Sequence, residues 1–529
     1  MLFNTFYFIL FFLPISFLFY SLALKFDNKD IKIVWLVFCS LFFYGWWNPY
    51  YLILIIFSII FNFCISNFLN AKNKLLILWI GILTNLGILG YYKYFNFFIE
   101  NVNNLIGSDM VIRQLILPLG ISFFTFQQIS YIIDIYNQKS KKGSLLYYFT
   151  FVIFFPQLIA GPIVNYKKII HQFNFTKYLD FNKSIMIGLT IFIIGLFKKV
   201  CIADNIGIYS DHIFEVAKYQ STITFFESWA AAIAFTFQLY FDFSGYSDMA
   251  VGLGLLFGIS LPLNFNSPFK SKNIAIFWRN WHITLSEFIR NYIFLPLSLS
   301  ITRFALLYNI NSVSLFTFST LIPILISYLL IGIWHGAGWN FILFGLLHGL
   351  YLILNTIWKN ILIFFSIHKK IQSNKIYMFS SQMFTFVCVI ISFVLFRSEN
   401  LEVASNIYYS MFGMNTISLP ATIINFFPDL DDLLIPYNFV FKGLQNTSIV
   451  LPSIIIFQIL ILFFVVMFMP NTMQLMRNYL DNKEYLGLID MKSKITWKPN
   501  LFWGILLGGM LLLSLLSITE PNPFLYFEF

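Results

Sequence analysis

Long apolar runs separated by short polar segments make up most of the chain. A helix needs about 20 apolar residues to cross the core of a bilayer. Runs near this length, some of them shorter, lie at residues 2–24, 33–47, 50–69, 75–92, 145–165, 184–203, 225–257, 319–333, 339–357, 380–396, 449–469 and 501–518. The run 225–257 is long enough for more than one helix. The pattern predicts an all-α polytopic membrane protein with about 11–13 crossings.

Residues 113–135 depart from this pattern because helix breakers and polar groups interrupt the apolar side chains. The interrupting residues are Pro118, Gly120, Gln127, Gln128 and Asp134. Backbone of this kind is tolerated at membrane depth only where protein or a water-filled cavity surrounds it. We therefore expect 113–135 to be shielded from lipid.

The basic residues predict an orientation. Cytoplasmic loops carry an excess of Lys and Arg, and basic segments occur at 25–32, 71–74, 368–375 and 477–498. No Lys or Arg precedes Lys25, which places the N-terminus outside. Two further segments are predicted to be external: 413–447, with the acids Asp429, Asp431 and Asp432, and 519–529, with no basic residue. Two external termini require an even number of crossings, which favours about twelve.

One region does not fit a simple alternation of cytoplasmic and external loops. Basic residues at 139–142 and at Lys167 and Lys168 flank the apolar run 145–165 on both sides. A single crossing would place one of these groups outside, against the positive-inside rule. We expect a re-entrant segment between residues 139 and 183.

The composition is typical of a membrane protein and argues against other classes of protein. Of the 529 residues, 59% are hydrophobic and 11% are charged, whereas soluble domains have about 25% charged residues. The net charge of +10 reflects the basic loops, so no nucleic-acid partner is predicted. Cys39, Cys64, Cys201 and Cys388 form no CxxC pair, so neither a disulfide framework nor a metal site is expected. Without a repeat or a soluble linker, residues 1–529 are predicted to form a single membrane domain.

Most of the ionisable chemistry within apolar surroundings falls between Phe277 and Gly349. This stretch contains FWRNWHITLSEFIRNYIFLPL and IGIWHGAGWNFILFGLLHG, with His282, His335 and His348. Ionisable groups at membrane depth usually mark a pathway or a reacting centre. In the structural alternative, each histidine hydrogen-bonds a neighbouring helix and the glycines allow close packing. These glycines are Gly336, Gly338, Gly345 and Gly349.

The spacing of the three histidines separates their roles. In WHGAGW, Gly336 and Gly338 can break the helix after His335 and bare backbone N–H groups, as an active-site turn requires. His282 is distant in sequence but can meet His335 through tertiary packing. On a continuous helix, His348 would lie about 20 Å beyond His335 and on nearly the opposite face. We expect His348 to point elsewhere and to hydrogen-bond a neighbouring helix.

Two further patterns have structural explanations. Asp242 and Asp248 lie in the otherwise apolar segment QLYFDFSGYSDMAVGLGLLFG. Carboxylates at this depth suit either a proton or cation path or a structural role in which they anchor Arg partners and hydroxyls, and the structural role is favoured. His282 and Glu287 have the His-x4-Glu spacing of glycerolipid acyltransferases, but five residues turn a helix by about 140°, so we interpret the match as coincidence. The sequence has no GxxxxGK[ST], HExxH or GxSxG motif, which argues against nucleotide hydrolysis.

Five ordered blocks resemble a known family. They are LILPLGISFFTFQQISYIID, FFPQLIAGPI, YFDFSGYSDMAVGLG, RNWHITLSEFIRNYIFLPL and GIWHGAGWNFILFGLLHG. FNTFYFILFFLPI near the N-terminus, VLFRSENLEVA at 394–404 and the closing FLYFEF extend the resemblance over nearly the whole chain. The chain resembles the membrane-bound O-acyltransferase superfamily, in its bacterial alginate and peptidoglycan O-acetyltransferase branch.

This resemblance implies a fold, an activity and site residues. It implies catalytic blocks at 115–350 around a central funnel, with a C-terminal extension from about residue 400 to 529. His335 in the WHG block would be the catalytic residue, and His282 in the RNWH block a second functional residue. The resemblance also implies acetyl-coenzyme A as the cytoplasmic donor, a periplasmic or membrane-anchored SGNH-type partner and an exported polysaccharide as the acceptor. The protein would be located in the lipid bilayer of the bacterial inner (cytoplasmic) membrane.

Acyl transfer from a thioester needs a base near the acceptor hydroxyl, a role that suits the neutral imidazole of His335. It also needs donors for the developing oxyanion. Asn280, Trp281 or freed backbone N–H groups are candidates for this role, and Arg279 is a candidate contact for the donor. No tightly bound cofactor is expected.

Two other functions stay open at this point. D-alanyl transfer to teichoic acid, by a sister branch of the same family, takes its acyl group from a carrier protein. The portion of the chain after about residue 400 argues against that branch by resemblance. A proton-coupled secondary transporter would use Asp242, Asp248 and the histidines as a relay. Inverted repeats with paired broken helices would support a transporter, and the sequence shows none.

Overall fold

The computed structural model describes most of the chain. The residues outside the described part are 27, 70–71, 114, 174–180, 220–221, 309–310, 424–426, 428–433, 435, 437, 444–451, 481–494, 519–521 and 526–529. The acids predicted to mark an external loop, most of the basic stretch 477–498, and most of the tail 519–529 therefore lie outside the described residues.

Almost all regular structure in the described residues is helical. The first half of the chain contains α1 (Leu13–Ala23), α2 (Lys29–Gly45), α3 (Tyr50–Phe68), α4 (Lys74–Ile106), α5 (Ile121–Tyr136), α6 (Leu145–Ile153), α7 (Phe155–Leu158), α8 (Tyr166–Phe173), α9 (Phe181–Phe197), α10 (Asp204–Lys218) and α11 (Phe225–Leu256). The second half contains α12 (Ile274–Asn280), α13 (Ile283–Ile289), α14 (Leu295–Leu307), α15 (Ser312–Phe316), α16 (Ile322–His335), α17 (Trp339–Phe364), α18 (His368–Ser373), α19 (Lys375–Arg397), α20 (Leu401–Met411), α21 (Pro452–Phe468), α22 (Thr472–Met476) and α23 (Leu501–Ser517).

Short segments of other types complete the described fold. π-Helical segments occupy Tyr7–Phe12, Lys198–Ala203, Arg290–Phe294 and Thr317–Leu321, and a 3-10 turn occupies Pro268–Lys270. Strand β1 (Ile417–Ser418) pairs in parallel with β2 (Phe439–Val440), with Ile417 opposite Phe439.

Six helical spans in the described residues are long and apolar enough to cross a membrane. They are Tyr50–Phe68, Lys74–Ile106, Lys183–Lys218, Ser312–His335, Trp339–Phe364 and Lys375–Arg397. Shorter apolar helices occupy Tyr7–Ala23, Pro452–Phe468 and Leu501–Ser517. The prediction of an all-α polytopic membrane protein is confirmed, whereas the number of crossings stays a prediction.

The run 225–257 forms one continuous helix, α11, of 32 residues. A capping box begins it: the Thr224 hydroxyl accepts from the Glu227 N–H, and the Glu227 carboxylate accepts from the Thr224 N–H at 3.0 Å. Every residue from Ala234 to Leu256 is buried. Protein therefore surrounds the second part of α11, which lies in the core of the fold.

Helices α9 and α11 cross with their backbones in contact. A Cβ atom added at Gly195 would lie 2.6 Å from the Gly245 carbonyl oxygen, and one at Gly252 would lie 2.6 Å from the Gly188 carbonyl oxygen. Real Cβ atoms essentially never approach this closely. Small residues at facing positions allow membrane helices to pack at this distance, so these four glycines fix α11 against α9.

The carboxylates inside α11 are ion-paired to consecutive lysines that follow α9. Lys199 Nζ lies 2.6 Å from Asp242 Oδ1, and Lys198 Nζ lies 2.7 Å from Asp248 Oδ2. Lys199 also contacts Asp204 Oδ1 at 2.8 Å. These contacts agree with the structural role favoured for Asp242 and Asp248, although the charged partners are lysines and not the expected arginines.

A short piece of the C-terminal segment packs into this ion-paired core. Asp242 Oδ2 accepts a hydrogen bond from the Leu525 N–H at 3.1 Å, and Lys199 Nζ donates to the Pro523 carbonyl oxygen at 3.3 Å. The Phe524 side chain between them is buried. The ion pair thus holds this piece of the chain against α11.

The run 145–165 does not form a straight crossing. It breaks into α6 and α7, and the next helix, α8, follows directly. Lys139 before the run and Lys167 and Lys168 after it line the same cavity. The shared cavity wall brings the two basic groups close together, whereas the re-entrant segment between residues 139 and 183 stays a prediction.

The interrupted segment 113–135 contains α5, which is almost wholly buried. Gly120 precedes α5 with a φ of +70°, and a Cβ atom there would lie 2.6 Å from the Leu158 carbonyl oxygen. Within the helix, Gln128 Oε1 accepts a hydrogen bond from Asn62 Nδ2 at 3.0 Å. Protein surrounds α5, as predicted, and provides a hydrogen-bond partner for Gln128.

Candidate active site

The helix break predicted after His335 is present. Helix α16 ends at His335, Gly336 and Gly338 are extended, with φ of −164° and −165°, and α17 begins at Trp339. Any residue can adopt this extended backbone, so the need for glycine at position 336 depends on the space around it. A Cβ atom there would lie 2.1 Å from the Phe341 ring, so any larger residue would force this ring to move.

The two helices on either side of the break pack against each other through glycines. A Cβ atom at Gly345 would lie 2.3 Å from the Tyr328 carbonyl oxygen, and one at Gly332 would lie 2.3 Å from the Phe341 carbonyl oxygen. The close-packing role predicted for Gly345 is confirmed, and Gly332 shares it. The break therefore folds α17 back along α16 and places His335 at the turn.

Side chains of α4 satisfy the carbonyl groups at the end of α16. Lys93 Nζ donates to the carbonyl oxygens of Trp334 and His335, at 2.6 and 3.0 Å. The Tyr94 hydroxyl donates to the Ile333 carbonyl oxygen at 2.7 Å. The last carbonyls of a helix lack partners within it and carry partial negative charge, which an ammonium group compensates. Sequence reasoning missed Lys93, although a lone lysine within the apolar run GILGYYKYFNFF is a usable signal.

Both candidate catalytic histidines contact the side chain of Trp334. The Trp334 ring centroid lies 4.9 Å from that of His335 and 5.8 Å from that of His282. Both imidazoles are buried, and His282 is completely so. The structure therefore brings the histidines of the RNWH and WHG blocks together around one aromatic ring.

The backbone at His282 is unusual. His282 has a left-handed conformation, with φ of +42° and ψ of +55°, and immediately precedes α13. Such a conformation costs about 1–3 kcal/mol in a non-glycine residue, and these residues cluster at functional sites. The turn directs the imidazole against the Phe243 ring, at a centroid distance of 4.7 Å, as well as against Trp334. The strained turn thus sets the position of the second histidine.

His348 lies closer to His335 than a continuous helix would place it. The Phe344 ring centroid is 5.7 Å from that of His335 and 4.6 Å from that of His348. The two imidazoles can therefore be separated by no more than about half of the 20 Å expected along an unbroken helix. The expected distance was wrong because the break folds α17 back along α16. The predicted hydrogen bond to a neighbouring helix is confirmed, since Trp278 Nε1 donates to His348 Nδ1 at 3.2 Å.

We predict that His348→Gln retains most activity and loses only some thermal stability. A glutamine keeps a donor and an acceptor but cannot act as a base near neutral pH, and hydrogen bonds between membrane helices average about 0.6 kcal/mol. Acetylation in cells and the thermal midpoint in detergent measure the two effects. Complete inactivity with normal folding would replace the proposed site with one built from His335 and His348.

The other candidate residues directly precede His282 in the chain but make contacts of their own. Arg279 is exposed at the end of α12. The Asn280 carbonyl oxygen accepts from the Asn266 N–H at 3.0 Å, and the Trp281 ring stacks on Phe277 at 5.5 Å. None of Arg279, Asn280 and Trp281 lines either of the cavities described below. Their roles as donor or oxyanion contacts stay predictions.

A cavity of about 180 Å³, here called the His335 cavity, lies beside the helix break. Its lining includes Trp47, Lys93, Gly120, Trp334, His335 and Pro523. Residues from six separate parts of the sequence build its wall, because Ile159 also lines it. The tail residue Pro523 is among them because Lys199 and Asp242 hold the neighbouring segment in place.

A second cavity of about 550 Å³, here called the basic cavity, lies near the other end of α5. Its lining includes Asp134, Lys139, Asn165, Lys167, Lys168 and Tyr292. Sequence reasoning did not identify the polar cluster inside it, in which Asn165 Nδ2 and the Tyr292 hydroxyl donate to Asp134 Oδ2 at 2.7 and 2.9 Å. From Gly120 to Asp134, α5 covers about 20 Å. One helix therefore connects the two cavities.

Aromatic rings lie between the two cavities. The Phe126 ring stacks on Phe288 at 4.4 Å and on Trp334 at 5.7 Å, with interplanar angles of 11° and 20°. Phe288 lines the basic cavity, and Trp334 lines the His335 cavity. The three stacked rings thus reach from one cavity wall to the other.

The family resemblance of the sequence blocks is supported by a direct comparison. Residues 121–398, which include His282, His335 and His348, match the model of MBOAT, the membrane-bound O-acyltransferase family. The chain belongs to the membrane-bound O-acyltransferase family. Lys93 and Pro523, which line the His335 cavity, lie outside the matched residues.

Relatives of this membrane-bound O-acyltransferase carry acyl-transfer names. A peptidoglycan O-acetyltransferase of Helicobacter pylori is 39% identical over 79% of this chain and 81% of its own length. A probable alginate O-acetylase of Pseudomonas aeruginosa is 36% identical over 79% of this chain and 76% of its own length. A teichoic acid D-alanyltransferase of Bacillus subtilis is 31% identical over 45% of this chain and 58% of its own length.

These comparisons identify the chain as a multi-pass membrane O-acyltransferase. The relatives that match it over most of its length support O-acetyl transfer. The two carboxylates that the transporter alternative would use, Asp242 and Asp248, are held in ion pairs by Lys199 and Lys198, and the family match assigns the chain to the acyltransferases instead.

Proposed function

We propose that this protein takes acetyl from acetyl-coenzyme A at the cytoplasmic face of a bacterial inner membrane and delivers it for O-acetylation of an exported polysaccharide. The observation that carries the proposal is the pair of histidines on Trp334, beside a small cavity that α5 connects to a larger basic one. The H. pylori and P. aeruginosa relatives, named for peptidoglycan and alginate, support an exported glycan as the final acceptor.

His335 is the general base in this proposal. Its imidazole removes the proton from the acceptor hydroxyl while the hydroxyl oxygen attacks the acetyl carbonyl carbon. The new C–O ester bond forms, the C–S thioester bond breaks, and the sulfur leaves as the coenzyme A thiol after it takes up the proton. His282, which shares the Trp334 ring with His335, orients the donor or shares this proton.

The basic cavity is the proposed donor site. A volume of about 550 Å³ falls within the usual range of about 300–1,000 Å³ for ligand pockets. Coenzyme A carries several phosphate charges, which Lys139, Lys167 and Lys168 in the cavity lining can attract. By the positive-inside rule, the same lysines support a cytoplasmic location for this cavity.

The size of the His335 cavity supports transfer through a partner. About 180 Å³ is smaller than the usual range of about 300–1,000 Å³ for pockets that hold drug-sized ligands. It has room for an acetyl group and a hydroxyl-bearing side chain or sugar edge rather than for a polysaccharide. We therefore propose hand-over to a periplasmic or membrane-anchored SGNH-type acetyltransferase, which acetylates the glycan.

We predict that the purified protein in detergent releases coenzyme A from acetyl-coenzyme A, slowly alone and faster with its partner. Enzymes of this kind suppress hydrolysis until the acceptor completes the site. Thiol release can be followed with a colorimetric reagent, with His335→Ala protein as the control for contaminating thioesterases. Release from an acyl carrier-protein thioester but not from acetyl-coenzyme A would instead support the D-alanyl function.

A further inference from the structure

Lys93 differs from the two lysines that pair with the carboxylates of α11. Lys198 and Lys199 are each neutralised by a carboxylate, at 2.7 and 2.6 Å. The ion pairs among the described residues do not include Lys93. Its hydrogen-bond acceptors are the Trp334 and His335 carbonyl oxygens. A cation at membrane depth without a carboxylate is costly, and such groups are functional candidates.

The contacts of Lys93 leave part of its binding capacity unused. An ammonium group has three N–H donors, and two of them are directed at carbonyl oxygens. Those carbonyls belong to the end of α16, where the helix dipole supplies only about half a negative charge. When Nζ is protonated, a net positive charge and one N–H therefore remain in the wall of the cavity that also contains His335.

We propose that Lys93 is an anion-binding residue of the His335 cavity, where its charge and third N–H bind a negatively charged oxygen of the reacting groups. The proposal rests on the proposed acyl transfer. In that reaction the acetyl carbonyl oxygen becomes an oxyanion when the hydroxyl adds. A carboxylate of the acceptor has the same chemistry, and the experiment below distinguishes these two sources.

Three properties make Lys93 suitable for this role. Its two carbonyl contacts hold Nζ at the same backbone that positions His335, so the cation and the base are fixed relative to each other. Nζ also lies 6.0 Å from the centroid of the Trp334 ring, which both histidines contact. The cavity is small and its walls are largely apolar, and low polarity strengthens the attraction between opposite charges.

Replacement of Lys93 by glutamine and by arginine distinguishes the effect of its charge from the effect of its hydrogen bonds to the backbone. In Lys93→Gln the side-chain amide can still donate to the two carbonyls, but the charge is gone. Lys93→Arg keeps the charge and several donors. Lys142→Gln is the matched control, because Lys142 Nζ likewise donates to a carbonyl near a helix end, that of Asn67 at 3.1 Å, but does not line the His335 cavity.

The measurements are coenzyme A release without acceptor, glycan acetylation in cells and the thermal midpoint in detergent. We expect Lys93→Gln to lower the kcat of coenzyme A release about 10²–10³-fold, as for loss of one oxyanion donor, with little change in KM or thermal midpoint. Lys93→Arg should recover much of this loss, and Lys142→Gln should match the wild type. Loss of glycan acetylation with normal coenzyme A release in Lys93→Gln would identify the acceptor carboxylate as the bound oxygen.

Two results would overturn the proposal. Near-normal activity of Lys93→Gln in both assays would show that backbone support is the whole role of Lys93. Activity that falls only in proportion to the amount of folded protein would show a structural role. If the wild-type protein releases no coenzyme A from acetyl-coenzyme A, the proposed donor is wrong, and glycan acetylation in cells still tests Lys93 independently of the donor.

Discussion

His335→Ala is expected to abolish glycan acetylation while the protein still inserts and accumulates in the membrane. The imidazole is buried at a glycine-broken turn, lines the His335 cavity and contacts Trp334. A general base contributes about 10²–10⁴-fold to rate, so the residual acetylation should fall below detection in a whole-cell assay. Membrane accumulation is measured by fluorescence of a fused reporter, and acetyl groups are measured after alkaline release from the glycan.

A second variant separates base catalysis from packing at this position. His335→Gln fills most of the space of the imidazole against Phe344 and Phe396, whose ring centroids lie at 5.7 and 5.0 Å, but it provides no base. Both variants should be inactive. Near-normal acetylation in either one would remove His335 from the mechanism, and activity in His335→Gln alone would assign it a packing role.

Asp242→Asn is expected to destabilise the whole fold. The carboxylate is buried, pairs with Lys199 at 2.6 Å and accepts from the Leu525 N–H. Removal of one partner from a buried ion pair costs about 3–5 kcal/mol, because the other charge is left without compensation. Lys199 keeps its contact with Asp204, so we expect a loss near the lower end of this range. The thermal midpoint in detergent and the amount of protein in the membrane measure it.

A more exposed ion pair provides the control. Arg397 pairs with Asp211 at 2.9 Å, and the Asp211 side chain is about half exposed. Surface ion pairs contribute little to stability, so Asp211→Asn should leave the thermal midpoint almost unchanged. Equal, small effects of Asp242→Asn and Asp211→Asn would mean that the ion pair inside α11 is not needed to hold the core together.

Much of this fold could be predicted because its determinants are local. A helix that spans a membrane must be mostly apolar over about 20 residues. The long hydrophobic runs therefore identify the membrane helices. The polar interruptions in 113–135 identified α5 as shielded from lipid, since its backbone and Gln128 need protein partners. The conflict of basic residues around 145–165 identified a run that does not form one straight helix. Each inference used residues close to one another in the sequence.

The features that could not be predicted depend on contacts between distant residues. Lys93 meets the end of α16 only because α4 packs there, more than two hundred residues away in the chain. The approach of His348 to His335 follows from the folding of α17 along α16, which the glycines permit but do not specify. The lysine partners of Asp242 and Asp248 were visible in FKKVC, but only the crossing of α9 and α11 shows which charges meet.

The residues that line the His335 cavity lie far apart in the sequence, and this separation sets an order of events during synthesis. A ribosome that adds about 5–20 residues per second needs roughly 20–90 s to travel from Lys93 to Pro523, both of which line the cavity. Throughout that interval, α4 and then α16 can already reside in the bilayer while one wall of the cavity is missing. The site therefore closes as a post-insertion event, and a nascent chain that stalls before Pro523 would be a membrane-embedded but unfinished enzyme.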